Sequence, residues 1–306
     1  MKRVIITTGF ALVYMLYMRN VANAQDLEPR AYVRVPVKAN VISPGITFSN
    51  GGVLTDPTLP LKDLKANIQA VSLLYVRSFN LFGLTAQAAA GVPFGWVHAT
   101  ALVDGQLQTA NRSGFFDMRF RVSVLLLGAP AITISELMKK PPSRHTILGT
   151  SVSIVAPTGQ FFSNKLINLG ANRWSFRPEL AVSQPLRKRW LLDVYAGVWF
   201  FTKNTSFYPG NSIRKQHPLG TFQAHASYTI KHNMWAAIDA TFYAGGSSEL
   251  NGVLKDDRTS NTRLGGTLLL PVSKRSGLKI ACSTGAIVRA GANFTIVSVG
   301  WSYLWF

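Results

Sequence analysis

The hydrophobic and polar positions of this chain alternate in short stretches, and the pattern is sharpest at its end, Asn293 to Phe306. Val297, Val299, Trp301, Tyr303 and Trp305 share one face of an extended strand there, and Ser298, Gly300 and Ser302 share the other. A period of two marks a strand with different surroundings on its two sides. A large face ending in aromatics, against a small polar face, suits lipid outside, an aromatic girdle at the interface and a wet lumen inside. Phe306 lies one step out of phase, so Trp305 is the expected interface anchor. A second clear stretch sets Phe116, Met118, Phe120, Val122, Val124 and Leu126 against Asp117, Arg119, Arg121 and Ser123. Slipping its register by one would put those charges into lipid, at roughly 2–4 kcal/mol for a basic residue near the midplane.

Taken in order, the same pattern predicts a first strand from Tyr32 to Val41 and a long loop over 49–65 rich in Gly, Pro and Asp. Strands follow over 66–78 and 84–97, then a polar stretch over 104–113 that leads into the Phe116 strand. Residues 128–145 read as a connector with a short helix over 132–138. Further strands are expected over 146–156, 174–183, 190–202, 220–230, 234–244, 261–270, 278–290 and the closing stretch. Long and short connections take turns along the chain. With both termini on one side, the short turns gather there and the long loops gather opposite. The expected fold is all-β: a membrane-spanning, antiparallel, up-and-down β-barrel of about 12 strands.

The N-terminal residues bear on the compartment. Lys2 and Arg3 precede the apolar run Val4–Met18, and Ala22-Asn23-Ala24 supplies a small-x-small cleavage site. Residues 1–24 are therefore expected to be a cleaved signal peptide, with Gln25 as the mature start and 25–306 as a single barrel domain. No later stretch has the 18 or so uncharged apolar residues of a membrane helix. Hydrophobic residues nevertheless make up 47% of the chain and charged ones only 15%, a balance that alternation explains without any long apolar run. Cys282 is the only cysteine, so no intrachain disulfide can form. The formal charge of +19 fits an anionic membrane surface or a lumen that attracts anions. Nucleic acid is not an expected partner, because no recognition helix, zinc spacing or RNA-binding motif accompanies the charge.

Several segments resemble one family: QDLEPRAY (25–32), GGVLTDPTLPLKD (51–63), VAPTGQ (155–160), KLINLGANRWSFRPELAVS (165–183), YAGVWFFT (195–202) and NGVLKDDRTSNTRLGGTLLLPVSKRSGLKI (251–280). They are similar to the meta-pathway phenol degradation family of bacterial outer-membrane, transporter-like proteins. The resemblance runs in order over nearly the whole mature chain and implies passage of small molecules across the outer membrane. It carries over no binding residue. Val33-Arg34 departs from the Ser-Asn of many relatives, and Lys38 is also unlike them, which adds positive charge near the barrel seam.

Alternation alone sends Asp117, Arg119, Arg121, Arg177, Glu179, Asp193, Tyr195, His225, Asp239, Arg263, Lys279 and Arg289 into the lumen. Two roles are open to this set. One is a constriction that selects an anionic or polar-aromatic solute, with Arg119 and Arg121 as its leading residues. The other is a salt-bridged network that fills a narrow barrel, since buried charges must pair. Chemistry is not expected. The five histidines are scattered, and Ser227 stands about 7 Å along the strand from His225, too far for a direct pair. Asp256-Asp257 reads as loop acids, and Pro157-Thr158-Gly159-Gln160 lacks the lysine of a phosphate loop. No enzyme, cofactor or metal is expected. The expected partners are outer-membrane lipid and lipopolysaccharide, the barrel-assembly machinery and a small solute, and the expected role is a passive channel. The alternatives are a non-conducting structural or adhesion barrel that presents its loops, and a soluble exported β-protein that binds an apolar ligand.

Overall fold

The computed structural model describes residues 27–54, 61–103, 105–139 and 145–306. The expected signal peptide lies outside the described residues. The long strands are β1 (Asn40–Leu54), β2 (Leu61–Leu81), β3 (Leu84–Val103), β4 (Gln106–Phe115), β5 (Met118–Leu127), β6 (Ile147–Ala156), β7 (Ser175–Pro185) and β8 (Trp190–Phe201). The short β9 (Asn204–Phe207) and β10 (Ser212–Gln216) precede β11 (Leu219–Lys231) and β12 (Met234–Gly245). The short β13 (Ser248–Leu250) and β14 (Val253–Leu254) precede β15 (Thr259–Pro271), β16 (Ser276–Ile287) and β17 (Gly291–Trp305). A helix, α1 (Ile134–Lys139), lies in the connector between β5 and β6.

Thirteen of these strands form one antiparallel sheet. Because β4 and β5 lie end to end along β3, they make a single stave, and the barrel has twelve. It closes by pairing β1 with β17, from Asn40↔Trp305 to Leu54↔Gly291. Closure matters in a membrane, because an open edge would leave backbone groups unpaired in hydrocarbon. The faces follow the alternation. Leu180 (65% exposed) and Ile238 (74%) point outward, while their inward neighbours Glu179 and Asp239 are buried. The predicted girdle is present near the termini, where Trp301, Tyr303 and Trp305 stack in series at centroid spacings of 6.1 Å. Tyr75 of β2 continues it at 6.2 Å from Trp305. Phe306 falls just outside the last strand.

The structure corrects the sequence reading at several points, and strand also takes up most of the expected loop over 49–65, since β1 runs to Leu54 and β2 begins at Leu61. First, β1 begins at Asn40, not Tyr32. Arg30 and Lys38 have φ of 64° and 66°, which breaks extension, and the segment turns into the barrel. Second, the polar stretch over 104–113 is largely strand: β3 and β4 rise as a hairpin from Phe94↔Phe115 to Val103↔Gln106. Third, Phe116 faces inward. The ladder steps from Phe94↔Phe115 to Gly91↔Arg119, so one extra residue sits on the β4–β5 side. This bulge reverses the side-chain direction at the junction. Fourth, the loops over 203–218 and 245–260 are not irregular: β9, β10, β13 and β14 form a separate four-stranded sheet at the end away from the termini.

Two inward clusters fill the barrel. Toward that far end, Leu169 of the loop between β6 and β7 packs on Ala66, Ile68, Val97, Ala99, Phe294 and Ile296, with Phe116 and Ile167 against them. Nearer the termini, Tyr32 packs on Leu125, Ala129, Ile147, Ala181 and Tyr195. The first comes from a folded-in loop and the second from the chain's own N-terminal segment.

Candidate functional site: the charged lumen and its seated segment

Inward residues on neighbouring staves are brought to one level by the register. Ser153 on β6 pairs with Arg121 on one side and Arg177 on the other. Ser151 likewise lies opposite Glu179, and His225 on β11 lies between Asp193 and Asp239. The segment over 27–39 enters this charged ring. Arg121 forms an ion pair with Glu28 through Nη1 and another with Glu179 through Nη2, the latter at 3.3 Å. Arg177 Nη2 reaches the second oxygen of Glu179 at 3.4 Å. Lys279 Nζ donates to the carbonyl of Leu27 at 3.1 Å, and the Tyr195 hydroxyl donates to the carbonyl of Glu28 at 3.3 Å.

Arg30 and Tyr32 lock the rest of the segment. The backbone N–H of Arg30 donates to Asp193 at 3.0 Å, its Nη2 donates to Thr229 at 2.8 Å, and its guanidinium lies 4.9 Å over the Trp235 ring. Ser183 donates to the other oxygen of Asp193. Tyr32, fully buried, places its hydroxyl 2.8 Å from Ser151 Oγ and 2.9 Å from Glu179 Oε1. Its ring packs edge-on to Tyr195 at 5.0 Å and lies under Arg121 at 4.9 Å. The Tyr32 hydroxyl gains nothing by ionising beside Glu179. Burial, set against the pull of Arg121, pushes its pKa up to about 12. Burial also works against the Glu28 charge, but Arg121, Lys279, Arg177 and His225 outweigh it, and the carboxyl is held below its ordinary value.

The predicted inward set therefore divides. Arg121, Glu179, Asp193, Tyr195 and Lys279 hold the segment, and Arg177 braces Glu179. His225 and Asp239 form a separate buried pair, Nδ1 to Oδ1 at 2.7 Å, and Thr267 donates to the other Asp239 oxygen at 2.8 Å. Arg119 is exposed on the inward face of β5. Asp117 accepts from the backbone N–H groups of Gly159 (2.9 Å) and Ala171 (2.8 Å), so it pins the folded-in loop. Arg263 braces the wall, with Nη2 on the Phe294 carbonyl at 2.8 Å and on Ser283 at 3.1 Å. Arg289 is corrected: it lies beyond the end of β16 and pairs with Asp256 at 3.0 Å, both well exposed. Its neighbour Asp257 caps Ser248, so the two loop acids serve the far-end loops separately.

Sequence reasoning missed Glu28, Arg30 and Tyr32, the residues that complete the site. The stretch QDLEPRAY preceding the first alternation was the available signal, because it mixes charge with an aromatic where a solvated lead-in needs neither. A second arginine–aromatic group lies toward the far end. Arg173 sits 4.4 Å over the Phe201 ring and Arg214 sits 5.3 Å over Phe207. Burial, and then the nearby Arg214, lower the Arg173 pKa to about 10. Between the two groups Arg177 lies 5.1 Å over Trp199.

A closed barrel with an apolar outer band, an interfacial aromatic girdle and a charged interior is the architecture of outer-membrane β-barrel proteins. The chain belongs to the family described as "Putative MetA-pathway of phenol degradation", whose model matches residues 43–292. Among solved structures it is similar to an outer-membrane channel from Pseudomonas putida F1. That match has a TM-score of 0.78 at 20% identity and covers 92% of this chain and all of the other. It is also similar to the β-domain of the Bordetella autotransporter BrkA, with a TM-score of 0.53 at 10% identity over 87% of this chain and all of that one. The transport unit of the Escherichia coli autotransporter AIDA-I matches with a TM-score of 0.53 at 10% identity, over 95% of this chain and 97% of that one. No curated protein matches the sequence.

Proposed function

We propose that the protein is exported by its N-terminal signal peptide, residues 1–24, and acts in the outer membrane as a passive channel for small solutes with a preference for anions. The observation that carries this reading is the inward face, where Arg121, Arg177 and Lys279 gather about the carboxylates of Glu28 and Glu179. A soluble protein with an apolar interior fits poorly with this charged lumen and with outward residues such as Ile238. Lipid and lipopolysaccharide are the partners of the outer surface, and the barrel-assembly machinery is the partner for insertion. No enzymatic role belongs to this reading. The test is conductance of the refolded protein in a planar bilayer, with the reversal potential measured in a salt gradient. Discrete steps with anion preference, reduced in Arg119→Ala plus Arg121→Ala, are expected. A folded barrel that gives no steps under any voltage, with chloride or with an organic carboxylate as the anion, would overturn the channel reading.

A further inference from the structure

We propose that Arg121, Arg177 and Lys279 form a binding site for an aromatic carboxylate, and that Glu28 and Tyr32 of the seated segment occupy it as an internal stand-in. The proposal rests on the channel reading above only for its consequence, the opening of the lumen.

The argument begins with charge. Three cations face two carboxylates, Glu28 and Glu179. Withdrawing the segment takes Glu28 from Arg121, Arg177 and Lys279 and leaves Glu179 alone to pair the two arginines in a largely buried place, while the departing Arg30 leaves Asp193. Uncompensated buried charge is costly, so the segment can leave readily only if another anion arrives. The donors are suited to a carboxylate. Arg121 turns one nitrogen to Glu28 and another to Glu179, while the Nε of Arg121 and the Nε of Arg177 are buried without partners. Guanidinium forks are the side chains best matched to a planar carboxylate.

The aromatic half of the ligand follows from Tyr32. Its ring fills the space between the Arg121 guanidinium and the Tyr195 ring, and its hydroxyl is bound by Ser151 and Glu179. Segment and ligand would therefore exchange like for like: carboxylate for the Glu28 carboxylate, ring for the Tyr32 ring, and a ring hydroxyl, where present, for the Tyr32 hydroxyl. Access is asymmetric in a useful way. The Glu28 side chain retains 36% of its exposure whereas Glu179 retains 2%, so a solute in the lumen meets the removable carboxylate and not the fixed one.

Limited trypsin digestion of the folded, full-length protein in liposomes tests this, with cleavage after Arg30 and Arg34 followed by mass spectrometry. Both bonds lie in the seated segment and are protected while it stays inside. Benzoate replacing an equal concentration of chloride should speed cleavage saturably, and neutral benzyl alcohol should not. Glu28→Gln should speed it roughly tenfold without benzoate, since it removes one partner of a partly buried charge pair and leaves Arg121 short of an acceptor. Cleavage that ignores benzoate beyond the chloride and benzyl alcohol controls would overturn the proposal, as would a Glu28→Gln chain protected like the natural one. The benzoate arm uses the natural chain and so survives any folding defect of the variant. Conductance recorded in parallel separates the two readings. Benzoate-driven cleavage without conductance would leave the carboxylate site standing and remove the channel; conductance with unresponsive cleavage would do the reverse.

Discussion

Gly149 offers a way to expel the segment without touching a charge. It lies on β6 and faces the lumen under Tyr32. A Cβ at this position would stand 2.3 Å from Tyr32 Cδ1, 2.9 Å from Cε1 and 3.2 Å from Cγ. Carbon atoms prefer separations of about 3.5–4.0 Å, so the ring must retreat by roughly 1 Å or more. It has little room to do so, being held against Tyr195 at 5.0 Å and by hydrogen bonds of 2.8 and 2.9 Å. Gly149→Ala should therefore cost the seated state about 1–3 kcal/mol, the usual scale of overpacking. The strand itself should not suffer, since replacing a strand glycine by alanine at a compatible position stabilises by roughly 0.4–1 kcal/mol through the unfolded chain. Hydrogen–deuterium exchange of the folded protein in micelles separates the two effects. Amides over 27–39 should exchange about 5- to 140-fold faster, using 1.4 kcal/mol per tenfold, while the barrel ladders stay protected. Unchanged exchange over 27–39 would refute the reasoning, and so would a loss of protection spread evenly through β5, β6 and β7.

Three further expectations use the same exchange measurement. Tyr32→Phe keeps the ring packing but removes the bonds to Ser151 and Glu179, and should loosen the segment by about 1–3 kcal/mol, the cost of leaving a charged acceptor short of a donor. Lowering the pH should release the segment. The Glu28 carboxyl is held below its ordinary value, so the stability it contributes is complete above the ordinary carboxyl range and is lost as the pH falls through its depressed value. The groups facing it are Arg121, Arg177, Lys279 and His225, and a segment equally protected at pH 7 and pH 3 would contradict this. Asp117→Ala removes the acceptor of two loop amides and should raise exchange over 157–174 by about 1–3 kcal/mol per orphaned amide; protection of 27–39 should be untouched, because the two seated elements have no common partner in this network.

The difference between what was legible and what was not follows from range. Alternation is a local property. It was enough to assign Arg121, Glu179, Asp193, Tyr195, His225 and Asp239 to the interior, because a one-residue slip would carry charges into lipid. The twelve staves and the alternation of short and long connections were legible for the same reason, each depending on a few consecutive residues. Phe116 shows where this fails: one extra residue at the β4–β5 junction reverses a face, and nothing in the alternation of that stretch marks it. The N-terminal segment shows it more fully. Val33, Val35 and Val37 alternate as a strand would, but Arg30, Tyr32 and Glu28 find better partners within the barrel than any strand position offers. Asp193 is 163 residues away from Arg30 and Glu179 is 147 from Tyr32, distances over which sequence pattern carries no information. Composition and periodicity by themselves determined a closed barrel with a charged interior. Only the tertiary structure decided which charges meet, because pairing depends on the stagger of twelve staves and on a segment, 27–39, that folds into the space they enclose.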